Sequence, residues 1–172
     1  MQPAASPRYS AVRIAATGLA FLLGAGTLAA TTPSDPESSH VFDQTQFDQL
    51  EFLVGDWRGT APDGSAFYER YRRTGPTQLQ SLRFASEAFS ESSNGSTLSL
   101  EDGRVEARWG EFTWQASRIG PAEACFEPVD APSAFCWNAD GPDRLTVTQR
   151  WTDAEGVAQS VQIVMTRLAA AR

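Results

Sequence analysis

The chain has 172 residues, of which 41% are hydrophobic and 20% are charged, so its composition is that of a globular domain rather than a disordered chain or a membrane bundle. Arginine supplies all 14 basic residues against 21 acidic ones, and the net charge of −7 disfavours binding to nucleic-acid phosphates or to an anionic membrane surface. One histidine and two cysteines exclude most metal sites built from nitrogen and sulfur ligands, and we predict no metal, cofactor or nucleic-acid partner.

The beginning of the chain has the three-part pattern of a secretory signal peptide. Arg8 and Arg13 form a short basic region, an apolar run covers 14–30, and small residues at its end suit cleavage by a signal peptidase. The alternative, an uncleaved membrane anchor, needs about 20 apolar residues, and this run is short and rich in glycine and alanine. We therefore predict a signal peptide at 1–30, a flexible linker at 31–41, no stable membrane anchor and a periplasmic or secreted location.

A short helix is predicted where the polar linker gives way to apolar residues. Phe42, Phe47 and Leu50 recur at roughly helical spacing. Asp43 is a suitable N-cap, and Gln46 three residues later completes the pattern of a capping box. The pattern predicts one short helix before the first strand.

Short segments that alternate apolar and polar residues follow, and turn residues separate them, which is the pattern of strands joined by hairpins. The predicted strands cover 57–60, 67–72, 79–89, 97–100, 105–109, 112–116, 122–126, 135–137, 145–151 and 161–167. Many sequential antiparallel strands need protected edges, and uniformly short connections favour closure. We predict an all-β domain at 42–169, a closed antiparallel up-and-down β-barrel of about nine or ten strands with a short N-terminal helix; a two-sheet sandwich is the alternative.

The segment 53–59 (LVGDWRG) lies between the predicted helix and the first strand. Its Gly-x-Trp element resembles the signature of calycins, which include lipocalins, fatty-acid-binding proteins and nitrobindin-like proteins. The resemblance implies a barrel whose one end is closed by the short helix, with Trp57 packed there and Arg167, from the last strand, lying over the indole. Such a pair combines a large buried apolar area with a stacked guanidinium.

A closer resemblance is to small secreted bacterial domains of unknown function that begin with Phe-Leu-x-Gly-x-Trp, here residues 52–57. Their Phe-Glu-Asn-Pro…His-Asp-Phe-Pro segment corresponds to 126–132, where the asparagine is missing, Val129 replaces the histidine and Ala131 replaces the phenylalanine. Nitrobindin-like proteins hold haem through a late histidine, whereas the only histidine here is His40, which precedes the barrel. The resemblance therefore carries no haem site over to this chain.

The two cysteines, Cys125 and Cys136, flank a Pro-rich turn. If Asp130 and Ala131 form that turn, the cysteines face each other on neighbouring strands. An oxidising compartment converts such a pair to a disulfide, so we predict a structural bond between them. The alternative is a redox-active pair or a nucleophile, which the barrel provides no histidine to activate.

The candidate ligand-binding residues are Glu69, Tyr71, Arg83, Trp109 and Trp114. If the strand face that carries Glu69 and Tyr71 points inward, a carboxylate lies in an apolar cavity, with a raised pKa or a cationic partner such as Arg83. A shift of one residue in register instead places Glu69 in water. Trp109 and Trp114 line a pocket only if the barrel has a cavity, since aromatic residues at alternating strand positions are usually core.

These features favour an exported barrel that binds a small apolar or amphipathic molecule in its interior without catalysing a reaction. One alternative is an enzyme of the isomerase or hydrolase type that uses Glu69 and Tyr71. The other is an envelope protein-interaction module whose barrel is filled by its own side chains.

Overall fold

The computed structural model describes residues 41–169, and in them ten antiparallel strands close into one β-barrel. The strands are β1 (Gly55–Thr60), β2 (Ala66–Gly75), β3 (Gln78–Phe84), β4 (Ser92–Glu101), β5 (Arg104–Trp109), β6 (Phe112–Gly120), β7 (Glu123–Pro128), β8 (Ala134–Ala139), β9 (Arg144–Thr152) and β10 (Ala158–Arg167). Each strand pairs with its neighbours in sequence, and β1 pairs with β10 to close the barrel. The predicted up-and-down barrel with a short helix before the first strand is confirmed.

Helix α1 (Gln44–Asp48) and a 3₁₀ helix (Gln49–Leu53) precede β1. The Asp43 carboxylate accepts a hydrogen bond from the backbone N–H of Gln46 at 2.8 Å, and the Gln46 side chain accepts one from the backbone N–H of Asp43 at 3.0 Å. This is the capping box that the sequence predicts. It satisfies two backbone donors that the start of a helix otherwise leaves without a partner.

The helices make the two ends of the barrel different. Phe47, Leu50 and Leu53 are fully buried against the barrel core, and we call the end that these helices cover the closed end. The opposite end, which we call the open end, carries five strand connections and no helix within the described residues. These connections cover 61–65, 85–91, 110–111, 129–133 and 153–157.

Side chains alternate between the interior and the outer surface along each strand, and the fully buried Trp57 identifies the inward face of β1. The register places Trp57 opposite Glu69, and Glu69 opposite Arg83. Because directly paired residues share a face, Glu69 and Arg83 both point into the barrel. Of the two registers that the sequence leaves open, the structure has the one with an interior carboxylate.

Charge pairing on the outer face supports this register. Arg70 donates two hydrogen bonds to the Asp56 carboxylate, from Nε to Oδ1 at 2.8 Å and from Nη2 to Oδ2 at 2.7 Å, and Arg72 donates a third at 3.2 Å. The Arg70 guanidinium lowers the pKa of Asp56. Since both arginines are held outside the barrel, the alternate residues of β2, Glu69 and Tyr71, face inward.

The barrel core is built from inward side chains that have almost no contact with solvent. They are Trp57, Leu79, Leu98, Val105, Phe126, Leu145 and Met165. Burying one such side chain stabilises the fold by roughly 1.5–3 kcal/mol. The apolar residues whose alternation with polar ones predicts the strands are therefore also the residues that fill this part of the interior.

The third strand is shorter than the sequence predicts, because β3 ends at Phe84 and the next strand begins at Ser92. Phe89 has a φ of 49°, a left-handed conformation that ends extended pairing. Its ring packs edge-on against Phe84 at 5.0 Å, and the Arg70 guanidinium lies 4.2 Å from its centre. Phe89 thus belongs to a connection that folds onto the outer face of the barrel.

Cys125 and Cys136 form the predicted disulfide, directly opposite each other on the outer face of β7 and β8. Closing a loop of this length stabilises the fold by roughly 2–3 kcal/mol in the chain-entropy model. Arg118 Nη2 lies 3.3 Å from the sulfur of Cys125, and Arg150 Nη2 lies 3.7 Å from the sulfur of Cys136. The bond joins two neighbouring strands and lies away from the barrel interior.

The predicted signal peptide (1–30), the linker up to His40 and residues 170–172 lie outside the described part of the chain. Within residues 41–169, no helix is long and apolar enough to cross a membrane. No group of three or more His, Cys, Asp or Glu side chains in the same range could hold a metal ion.

Candidate functional site

Arg167 and Trp57 lie together at the closed end, as the resemblance to calycins implies. The Arg167 guanidinium lies 4.1 Å from the centre of the Trp57 ring. It donates hydrogen bonds to the backbone carbonyls of Pro142 at 2.6 Å, of Phe52 at 2.9 Å and of Val54. These contacts engage all three nitrogens of the guanidinium with backbone carbonyls at the closed end.

The backbone conformation and the close approach of Arg167 explain why the first residue of the Gly-x-Trp element is a glycine. Gly55 has a φ of 139°, and a Cβ atom there would collide with Nη1 of Arg167. Two positions later, the Trp57 indole N–H donates a hydrogen bond to the carbonyl of Leu53 at 2.7 Å. The element therefore lets the arginine approach the backbone closely while the indole is anchored to the 3₁₀ helix.

We call the inward-facing side chains toward the open end the cup, and define it by Glu69, Arg83, Trp114, Phe135, Val147 and Ile163. Val147 and Ile163 are half-buried although they face the interior. One layer nearer the closed end, the inward side chains Leu145 and Met165 are only 0% and 1% exposed. On these two strands, the inward side chains nearer the open end therefore keep some solvent contact, and those one layer deeper have almost none.

Glu69 is the half-buried carboxylate of the cup, with 17% of its side chain exposed. Its Oε2 atom accepts a hydrogen bond from the Tyr71 hydroxyl at 2.7 Å. Its Oε1 atom lies 4.0 Å from Nη1 of Arg83, which is an ion pair without a direct hydrogen bond. One carboxylate oxygen is thus occupied, and the other faces the cation.

Burial raises the pKa of Glu69, while the hydrogen bond from Tyr71 and the charge of Arg83 act in the opposite direction. The pKa of Tyr71 is raised well above its ordinary value because the side chain is buried and the Glu69 charge lies beside it. Tyr71 therefore keeps its proton and donates a hydrogen bond to the carboxylate. Its ring also meets Trp137 edge-on at 6.1 Å, so the two rings form part of the floor of the cup.

Arg83 is the exposed member of the polar group. Its guanidinium lies 4.0 Å from the centre of the Phe67 ring, and 36% of its side chain is exposed. Within residues 41–169, Glu69 is its ion-pair partner, and no side chain or carbonyl accepts a hydrogen bond from it. Its N–H groups are therefore free to bind an acceptor that enters the cup.

Aromatic side chains form the opposite wall. Trp114 is 7% exposed and its indole N–H donates a hydrogen bond to the carbonyl of Ser133 at 2.6 Å. The Phe135 ring meets Trp114 edge-on at 5.5 Å. Trp109 lies further out at the rim, with 42% of its surface exposed. Because the Trp114 N–H is occupied, this wall offers a ligand apolar contact.

The connection 129–133 folds over this wall at the open end. The Asp130 carboxylate accepts a hydrogen bond from the backbone N–H of Thr113 at 2.6 Å. Ala131 packs against the barrel core. The connection is thus held against β6 and the barrel core at the open end.

The structure brings together three of the predicted binding residues, Glu69, Tyr71 and Arg83, and places Trp114 and Trp109 across the interior from them. Sequence reasoning did not single out Phe135, Val147 and Ile163. All three lie in segments predicted as strands, so the alternation of inward and outward side chains in these segments could be predicted. What the alternation does not reveal is their depth in the barrel.

Two surface cavities lie away from the cup. One, of about 520 Å³, is lined by Gln44, Asp48, Glu51, Arg73 and Pro76. The other, of about 380 Å³, is lined by Phe42, Gln46, Ser117, Arg118 and Ile119. Both are next to the helices of the closed end and are separate from the predicted binding residues.

The chain matches no protein-family model. It matches no curated protein either. Among solved structures it is similar to a redesigned beta barrel, at 14% identity and a TM-score of 0.33, over 70% of this chain and 95% of that one. A structure bound to DFHBI aligns at 14% identity and a TM-score of 0.37, over 73% and 100%. A de novo designed fluorescence-activating beta barrel aligns at 16% identity and a TM-score of 0.29, over 71% and 98%.

Proposed function

We propose that this protein is an exported barrel that binds a small apolar or amphipathic molecule in the cup without catalysing a reaction. We also propose that it belongs with the small secreted bacterial domains that share the Phe-Leu-x-Gly-x-Trp start. The Cys125–Cys136 disulfide supports export, because such bonds persist in oxidising compartments. The periplasm or the extracellular medium is the proposed location.

One observation carries the proposal of binding: inward apolar side chains at the open end are accessible to solvent beside two opposite charges, the half-buried Glu69 and the partly exposed Arg83. Val147 and Ile163 are half-buried, whereas Met165 on the same face is buried. Covering such surface is favourable by about 25 cal/mol per Å². Glu69 and Arg83 then provide the few polar contacts that orient a ligand in an apolar site.

The geometry supports binding over catalysis. The Tyr71 hydroxyl points at Glu69 and holds its proton, so the two groups form one unit rather than an independent acid and base. The cup therefore presents a single carboxylate oxygen and the Arg83 guanidinium to a bound molecule. A barrel filled by its own side chains would leave no room for one, and the experiment below distinguishes the two cases.

The test is a fluorescence titration with Prodan, a neutral dye whose emission reports transfer to an apolar site. We expect saturable binding to the purified protein. Ile163→Trp places a bulky ring in the cup, and we expect it to weaken binding by about tenfold or more. Val164→Trp is the matched control, because Val164 is the next residue of β10 and points outward with 40% of its surface exposed.

Circular dichroism of both variants establishes that the barrel is intact. Unchanged Prodan emission with the unmodified protein would contradict the proposal and favour the filled-barrel interaction module. Equal loss of binding in the two variants would place the dye site outside the cup.

A further inference from the structure

The polar side of the cup carries one charge of each sign. Among the described residues that face this part of the interior, Glu69 and Arg83 are the charged ones. The uncharged polar side chains on the same face include Ser81, Asn94, Ser96 and Gln149. The two charges are 4.0 Å apart. A ligand therefore meets a site whose charges balance.

Each of the two charged groups retains hydrogen-bonding capacity. Tyr71 occupies Oε2 of Glu69, which leaves Oε1 as an acceptor on the side of Arg83. The Arg83 guanidinium lies over the Phe67 ring, and its N–H groups donate no hydrogen bond to any described residue. An open acceptor and open donors thus lie side by side at the edge of an apolar wall.

Ions of either sign are disfavoured in this cup. An ammonium group is attracted by Glu69 but repelled by Arg83, and a carboxylate is attracted by Arg83 but repelled by Glu69. Either ion also loses hydration when it enters an apolar site. The rim adds to the exclusion of anions, since the five connections of the open end contain seven acidic residues and no basic residue within the described chain. Their field repels a negatively charged ligand before it enters.

We infer that the cup selects uncharged amphipathic ligands whose polar head combines an N–H or O–H donor with a neighbouring carbonyl acceptor, as in a primary carboxamide or a lactam. The donor binds Oε1 of Glu69, and the carbonyl accepts hydrogen bonds from Arg83. The apolar body lies against Trp114, Phe135 and Ile163. This inference rests on the proposed function and adds the chemical class of the head group.

A matched series of probes tests the inference on the unmodified protein. Decanamide, decanoate and decylammonium share one apolar tail and differ in the charge of the head. We measure the displacement of Prodan by each compound near neutral pH. Decanamide is expected to bind about tenfold or more tightly than either ion, because its head alone satisfies both polar groups without a repulsive charge.

Two charge variants then change the preference in opposite directions. Arg83→Gln leaves Glu69 as the one charge of the cup, so decylammonium is expected to gain about tenfold relative to decanamide. Glu69→Gln leaves Arg83, so decanoate is expected to gain relative to decanamide, though by less because of the acidic rim. Arg58→Gln is the matched control: Arg58 is exposed on the outer face of β1, and its loss is expected to leave the ranking unchanged.

The outcomes separate the inference from the proposed function. If Prodan does not bind, the proposed function itself fails. If Prodan binds but the three compounds displace it equally, or if an ion displaces it best, the function stands and the head-group inference is overturned. A ranking that responds to Arg58→Gln as strongly as to Arg83→Gln would also overturn it, because the effect would then come from net charge.

Discussion

The two halves of the barrel interior differ in how completely their polar side chains are hydrogen-bonded and their apolar side chains are buried. At the closed end, Arg167 donates hydrogen bonds to backbone carbonyls, and its guanidinium lies over the ring of the fully buried Trp57. At the open end, Glu69 and Arg83 form an ion pair without a hydrogen bond, and Ile163 keeps solvent contact. The same strands run through both halves, so depth along a strand decides whether a side chain stabilises the fold or remains available for binding.

The largest expected effect is at the closed end. Trp57→Ala removes a fully buried indole, its hydrogen bond to Leu53 and the surface on which Arg167 stacks. We expect the free energy of unfolding to fall by about 3–5 kcal/mol, measured by urea denaturation. Trp109→Ala, at the open rim, is the matched tryptophan control and is expected to cost less than about 1 kcal/mol.

Trp57→Phe provides a milder version if the alanine variant does not fold. It retains much of the apolar area and loses the hydrogen bond to Leu53. A cost at Trp57 no larger than the cost at Trp109 would remove the distinction between the two halves.

A second comparison uses two neighbours on the inner face of β10. Met165 is 1% exposed and Ile163 is half-buried. We expect Met165→Ala to lower the free energy of unfolding by about 2–4 kcal/mol and Ile163→Ala by about 1–2 kcal/mol in the same denaturation experiment. We expect the opposite ranking for Prodan affinity, which should fall in Ile163→Ala and stay unchanged in Met165→Ala. If the same variant has the larger effect on both the free energy of unfolding and the Prodan affinity, then depth in the barrel does not decide which residues contribute to stability and which to binding.

Much of the fold follows from local patterns in the sequence. Apolar alternation with turn residues predicted the closed barrel, and the pair Asp43 and Gln46 predicted the start of the helix, because a capping box is decided within one turn. The spacing of Cys125 and Cys136 predicted their cross-strand bond, since a hairpin register fixes which residues face each other.

Other features depend on contacts that a local pattern does not contain. The orientation of Glu69 was ambiguous because both faces of β2 carry aromatic and charged residues, and it is the binding of Asp56 by Arg70 that favours the observed register. The end of β3 was misjudged because an apolar Phe89 continues the alternation, whereas its φ and its contact with Phe84 place it in a connection. Depth in the cup is likewise a property of the closed barrel as a whole.

The smallest expected effect concerns how the stability contributed by Glu69, at the open end, depends on pH. The pKa of Glu69 is raised above its ordinary value of 4.5, so the folded protein holds this proton at pH values where the unfolded chain has lost it. The associated stabilisation is complete below pH 4.5 and is lost as the pH rises through the raised pKa. Glu69→Gln keeps an acceptor for Tyr71 and removes the buried charge. We therefore expect it to stabilise the protein by up to about 1 kcal/mol at neutral pH, and progressively less toward acid, in urea titrations.

Glu123→Gln is the control, because the pKa of Glu123 is shifted in the opposite direction to that of Glu69. Its pKa is lowered, chiefly by the hydrogen bond from Arg118, so the folded protein releases this proton more readily than the unfolded chain does. The stabilisation is therefore present above the ordinary value of 4.5 and is lost as the pH falls through the lowered pKa. Glu123→Gln should accordingly destabilise the protein at neutral pH and lose its effect in acid. If the two variants shift the free energy of unfolding in the same direction, Glu69 is not held in the apolar interior as a charge that burial opposes.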